Sequence, residues 1–80
     1  MNTQEALDAI NKSLRKALDD DSVTVGPGID LLDEEILDSL DGMVFILELS
    51  RYTDKKFPDT DLVELGFYNV DKLVEFLTAH

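Results

Sequence analysis

Apolar residues recur along this chain at the spacing of amphipathic helices. The first segment repeats them every three or four residues, at Leu7, Ile10, Leu14, Ala17 and Leu18. We therefore predict a first helix over residues of roughly 3 to 19. A second helix is predicted to begin near Asp38 or Ser39 and to run to about Asp54, because Pro58 lies beyond its end and breaks helices.

Two shorter helices are predicted in the last third of the chain. Asp59, Thr60 and Asp61 can begin a short third helix, which Gly66 would end. Asn69 can cap a fourth helix. The buried side of that helix is predicted to hold Val70, Leu73, Val74 and Leu77. The pattern thus predicts an all-α fold, a small four-helix bundle with a short third helix.

The predicted connection between the first two helices, from about 20 to 37, is long for so small a chain. Glycine and proline at 26–28 exclude regular structure near its centre. Long ordered loops in compact domains are usually functional. Apolar residues are expected to hold this loop against the helices, namely Val23, Val25, Ile29, Leu31, Leu32, Ile36 and Leu37.

The second helix carries more apolar surface than a core requires. At about 100° per residue, Phe45, Ile46 and Leu49 share one side, which Tyr52 and Thr53 continue. A second apolar stripe lies nearly opposite, formed by Leu40, Met43, Val44 and Leu47. One stripe is enough for a surface helix. The second stripe therefore predicts either extra burial or a partner-binding face, and the pattern leaves both open.

Charge is distributed very unevenly along the chain. The formal net charge is −11, and no basic residue occurs between Lys16 and Arg51. That gap holds ten acids: Asp19, Asp20, Asp21, Asp30, Asp33, Glu34, Glu35, Asp38, Asp41 and Glu48. Such a surface argues against nucleic-acid and anionic-membrane partners and favours basic protein partners.

Length and composition narrow the possible chemistry. A chain of 80 residues allows one domain with a modest core and little room for a deep catalytic cleft. Without cysteine, and with His80 as the single histidine, we expect neither zinc binding nor thiolate catalysis. The acidic run at 19–21 lacks the remaining features of a calcium loop. With no signal-peptide run at the N-terminus, we expect a cytoplasmic protein.

Ser39 is the candidate functional residue, and two interpretations compete for it. It could be the N-cap of the second helix, which is a common role for serine. Alternatively, Asp38 is the cap and Asp41 lies in the first turn, which leaves the Ser39 hydroxyl free at the first helical position. The helix N-terminus would favour an anion attached there. Gly42 is also unexpected inside a helix and could give a prosthetic group or partner close backbone access.

The motif around Ser39 resembles that of the acyl carrier protein family. The resemblance rests on Leu37-Asp38-Ser39-Leu40-Asp41, followed by Glu48-Leu49 and Phe57-Pro58, and on the predicted helix order along the whole chain. It implies a single carrier domain over residues 1–80, which carries bound substrates and does not itself catalyse. It also implies that Ser39 carries 4′-phosphopantetheine from coenzyme A, whose thiol holds an acyl group as a thioester.

The same resemblance implies partners and their contact residues. Asp38 would help a phosphopantetheinyl transferase to dock. Basic docking patches of loading and processing enzymes would meet acids such as Asp41. The partner-facing apolar positions would be Leu40, Met43 and Leu47, to which the second stripe adds Val44. We expect a monomer that binds neither metal nor nucleic acid and does not insert into membranes.

Departures from the family pattern concern the pathway. Val44, Ser50 and Arg51 stand where carriers of primary fatty-acid synthesis usually have carboxylates, so Arg51 is expected to influence partner choice. Residues 66–69 look closer to aminoacyl, peptidyl or D-alanyl carriers. We therefore expect a specialised fatty-acid, polyketide or related pathway, with aminoacyl, peptidyl or D-alanyl cargo as the alternative. A different class of function is an unmodified acidic helical module that binds proteins through the second stripe.

Overall fold

Three helices surround the hydrophobic core. The computed structural model describes residues 1–58 and 60–79. Over these residues the helices are α1 (Thr3–Leu18), α2 (Ser39–Thr53) and α3 (Val70–Thr78), and no β-strand is formed. α1 packs against both α2 and α3. The all-α prediction is confirmed, and the predicted first, second and fourth helices match α1, α2 and α3 closely.

The helix ends follow their local sequences. Asn2 caps α1 by accepting the Glu5 N–H at 2.8 Å, while the Glu5 side chain accepts the Asn2 N–H at 3.0 Å. These reciprocal bonds form a capping box. Asn69 caps α3 by accepting the Lys72 N–H at 3.2 Å. The predicted role of Asn69 is therefore confirmed.

The four-helix prediction is wrong for the residues that the structure describes, because the predicted short third helix is absent. Its first predicted residue, Asp59, lies outside the described residues. Asp61 has a left-handed backbone with φ of 62°, which does not belong to a right-handed helix. A single turn follows, closed by bonds from Gly66 N to Val63 O and from Phe67 N to Leu62 O.

Tertiary packing ends this turn early. Gly66 adopts φ of 80°, and the paired 5→2 and 6→1 bonds are those of a Schellman motif. The reversal carries Phe67 and Tyr68 into the core. It also lets the Tyr68 carbonyl accept the Leu31 N–H at 2.7 Å. A longer helix would carry these residues past their partners.

The core draws on all three helices and on both connections. Its largest fully buried side chains are Phe45, Ile10, Leu14, Leu31, Leu49, Leu73, Leu77 and Val70. Phe57, Phe67 and Phe76 cluster at one edge, with ring centroids 4.8–5.6 Å apart. Such separations suit tilted and edge-to-face aromatic pairs. This cluster joins α3 to the segment after α2.

Apolar side chains hold the connection between α1 and α2, as predicted. Val25, Leu31 and Leu37 are buried, and the other four apolar residues of the connection are half-buried. Hydrogen bonds from side chains of α1 also hold the connection. Asn11 accepts the Val25 N–H at 2.7 Å and donates to the Val25 carbonyl at 3.1 Å. Arg15 donates to the Val23 carbonyl at 2.7 Å.

Replacing Asn11 with alanine is expected to lower the free energy of unfolding by about 1–2 kcal/mol, as measured by urea denaturation. The change removes both bonds to Val25 and leaves a backbone N–H without its partner. The higher helix propensity of alanine offsets part of the loss. Gln4→Ala is the control, because the Gln4 side chain bonds only to an exposed aspartate within the described residues. Equal effects of the two changes would contradict the role given to Asn11.

Candidate functional site

Asp38, and not Ser39, caps α2. The Asp38 backbone is extended, and its side chain accepts the Asp41 N–H at 2.7 Å. Ser39 is the first residue of the helix and is exposed. Of the two sequence interpretations, the one that leaves the serine outside the cap is therefore confirmed. The hydroxyl lies at the positive end of a fifteen-residue helix.

A tight turn before α2 positions the Asp38–Ser39 pair. Ile36 N donates to the Leu31 carbonyl at 3.0 Å, and Glu35 N donates to the Leu32 carbonyl at 3.0 Å. Glu35 takes a left-handed backbone with φ of 56°, which completes a second Schellman motif. The reversal buries Leu37 and leaves the neighbouring acids exposed. As a result, Ser39 follows directly on an exposed acidic turn.

The second apolar stripe of α2 is exposed. Leu40 is 70% exposed and Leu47 is 51% exposed, with Met43 and Val44 between them. The opposite stripe, formed by Phe45, Ile46 and Leu49, is buried as predicted. The structure therefore excludes extra burial of the second stripe, because these side chains do not add to the core. We call Leu40, Met43, Val44 and Leu47 the exposed α2 face.

Tyr52 departs from its predicted place on the buried side. Its side chain is 53% exposed. The hydroxyl instead accepts a hydrogen bond from the Lys12 ammonium at 3.1 Å. At about 100° per residue, Tyr52 lies close to the edge of the buried stripe, so a polar partner on α1 decides its orientation.

A groove of about 650 Å³ opens beside Ser39, between α2 and the segment after it. Its apolar lining includes Met43, Ile46, Leu47, Leu62, Val63 and Phe57. Ser39 and Tyr68 also line this groove. This groove was not predicted from the sequence, because its outer wall is formed by residues for which a third helix was predicted. We call it the serine groove.

The ring of Tyr68 explains why position 42 of α2 is a glycine. A Cβ atom added to Gly42 would lie 2.9 Å from Cε1 of Tyr68 and 3.1 Å from its hydroxyl oxygen. Tyr68 thus packs directly on the α2 backbone, one turn after Ser39. Burial raises the pKa of the Tyr68 phenol. The space at Gly42 is therefore filled by the chain itself, and not by a prosthetic group or partner.

Gly42→Ala is expected to lower the free energy of unfolding by about 1–2 kcal/mol, because the methyl group would displace a buried ring. Helix propensity alone predicts the opposite, a gain of up to about 1 kcal/mol. Chemical denaturation measures the sign. Gly26→Ala is the control, since a Cβ atom added to Gly26 would meet no atom within 4 Å. If Gly42→Ala stabilised the protein, the prediction would be wrong, because the Tyr68 ring would then move aside at little cost in free energy.

The remaining predicted site residues divide between two places. Asp41 is half-buried in the first turn of α2, close to Ser39. Arg51 is exposed near the other end of α2, where its guanidinium pairs with Glu48 at 3.6 Å. The structure thus brings Ser39, Met43 and Leu47 together in one groove and places Arg51 apart from them. Val63 and Leu65 are additional exposed apolar residues, which the sequence analysis did not single out.

Residues 1–58 and 60–79 contain no cluster of His, Cys, Asp and Glu that could hold a metal ion. Over the same residues, no helix has both the length and the apolar character needed to cross a membrane. The chain matches no family model, no curated protein and no solved structure.

Proposed function

We propose that this protein is a carrier of covalently bound acyl groups, with 4′-phosphopantetheine attached to Ser39. The observation that carries the proposal is the position of Ser39. It is exposed at the first position of α2, while Asp38 makes the capping bond. A modifying enzyme could reach such a hydroxyl without unfolding the helix, and the helix N-terminus would favour the attached phosphate.

The surroundings of Ser39 suit docking by other enzymes. Exposed acids precede it, and the exposed α2 face follows it along the helix. Acidic groups would guide basic partners and set the association rate. Exposed leucine and methionine side chains would supply contact area in a small interface that is easily released. The acidic surface and the apolar face thus meet at the proposed attachment point.

The serine groove supports acyl cargo. Its lining is mainly aliphatic and aromatic, and Ser39 lies on its border. The prosthetic group would supply the thiol that holds the acyl chain, since the protein itself has no cysteine. Met43, Ile46 and Leu62 could shelter part of an apolar chain from water. Aminoacyl, peptidyl or D-alanyl cargo remains the alternative, on the sequence of residues 66–69.

Arg51 supports a specialised pathway rather than primary fatty-acid synthesis. Its guanidinium and the Lys16 ammonium both pair with Glu48, at 3.6 and 3.3 Å. Together they reduce the negative charge at the end of α2 away from Ser39. Enzymes that require carboxylates along the whole helix would therefore dock poorly.

The exposed α2 face would equally serve an unmodified interaction module, and Ser39 separates the two functions. Incubation with coenzyme A and a broad-specificity phosphopantetheinyl transferase is expected to raise the intact mass by one prosthetic group. Ser39→Ala is expected to abolish the change while keeping the helical circular dichroism signal. A chain that stays unmodified with several such transferases would support the interaction module instead.

A further inference from the structure

A second groove, between α1 and α2, gathers basic side chains. It has a volume of about 370 Å³. Its lining consists of Lys12, Ser13, Lys16, Glu48, Arg51 and Tyr52. Three of the seven basic residues of the chain therefore line this groove, together with a single carboxylate. This lining carries two excess positive charges on a molecule whose formal net charge is −11.

The three cations are exposed, and each makes a contact within the groove. The Glu48 carboxylate lies 3.3 Å from the Lys16 ammonium and 3.6 Å from the Arg51 guanidinium, and its side chain is largely buried. Lys12 donates to the Tyr52 hydroxyl at 3.1 Å, and this bond raises the pKa of Lys12. An ammonium has three N–H donors and a guanidinium has five. Each cation therefore keeps donors beyond those used in these contacts.

Ser13 lies beneath the groove. It is only 3% exposed, and its hydroxyl has no hydrogen-bond partner among the described residues. The hydroxyl oxygen is covered by protein atoms, so the donors that face the groove are those of the three cations.

We propose that this groove binds a phosphate group. Two excess positive charges match a phosphate dianion, and charge-assisted bonds from lysine and arginine are those that bind phosphate oxygens most strongly. If the only role of these side chains were to join α1 to α2, one cation paired with Glu48 would be enough. Exposed ion pairs contribute little to stability, so stability does not account for three cations.

The groove favours a compact ligand. An extended polyanion such as a nucleic acid would also meet the acidic surface, which repels it. The charge of a single phosphate group can lie entirely within the groove. Salt screens its repulsion by acids more than about 8 Å away. Arg51 follows Ser39 by twelve residues, which corresponds to about 18 Å along the helix axis. The groove is therefore separate from the proposed attachment point.

Nuclear magnetic resonance of the unmodified full chain tests this proposal. Inorganic phosphate is expected to cause saturable amide shifts concentrated at Ser13, Lys16 and Tyr52. Chloride at matched ionic strength is expected to cause none. Ribose 5-phosphate forms the second arm. Tighter binding than that of inorganic phosphate would indicate a phosphorylated organic ligand, and equal binding would indicate recognition of the phosphate group alone.

Matched variants separate a built site from general charge effects. Lys16→Gln is expected to weaken phosphate binding about tenfold, the loss of one charge-assisted bond. Lys72→Gln removes an exposed lysine outside the groove and should bind as the original chain does. Non-saturating shifts, or equal effects of Lys16→Gln and Lys72→Gln, would overturn the proposal.

Discussion

Leu49→Ala is expected to lower the free energy of unfolding by about 2–5 kcal/mol, whereas Leu47→Ala should change it by less than about 0.5 kcal/mol. The two leucines are two residues apart on α2. Leu49 is fully buried in the core, and Leu47 is 51% exposed. Loss of Leu49 leaves a cavity as well as lost apolar burial. Small domains are marginally stable, so the change at Leu49 could remove much of the stability of this protein.

Urea denaturation of both variants measures this difference, and each protein is the control for the other. The comparison also tests whether the exposed α2 face is free of the core. If Leu47→Ala destabilises the fold as strongly as Leu49→Ala, then Leu47 belongs to the core and cannot be reserved for partners. If the predicted difference is found, Leu47→Ala can be used to probe docking in a folded protein.

Asp38→Asn is expected to slow modification of Ser39 about tenfold, which corresponds to about 1.4 kcal/mol, while leaving the fold nearly as stable. Asparagine caps a helix about as well as aspartate, so the bond to the Asp41 N–H can be kept. The carboxylate, which would guide a basic transferase, is lost. Asp38→Ala should slow modification similarly and in addition destabilise the protein by about 1 kcal/mol.

Modification rates come from the time course of the intact mass, and stability comes from thermal unfolding of the same samples. The two substitutions separate capping from charge, because only alanine removes both. Modification of Asp38→Asn at the original rate would contradict a docking role for this carboxylate. Loss of stability in Asp38→Asn equal to that in Asp38→Ala would show that asparagine does not preserve the cap.

The helices could be predicted from the sequence because their local signals agree with their packing. Apolar spacing predicts α1, and apolar spacing together with the Asn69 cap predicts α3, whereas the Asn2 cap of α1 was not predicted. Two apolar stripes on α2 left its orientation open, since periodicity shows that a stripe exists but not what covers it. The packing of α1 covers one stripe and leaves the other exposed.

Contacts between distant parts of the chain caused the errors. The expected third helix is reduced to one turn because Tyr68 must reach both Leu31 and Gly42. Tyr52 leaves the buried side because Lys12 offers it a hydrogen bond. The serine groove depends on that single turn and was missed for the same reason. None of these partners is close in sequence, so local propensity and spacing could not reveal them.

Mapping the site of modification tests the proposed carrier function most directly. The chain has four serines, at 13, 22, 39 and 50, so the mass of the intact protein does not by itself locate the group. After treatment with coenzyme A and a phosphopantetheinyl transferase, fragmentation of peptides is expected to place one prosthetic group on Ser39 alone. Modification of another serine, or none in a folded protein, would contradict the proposed function.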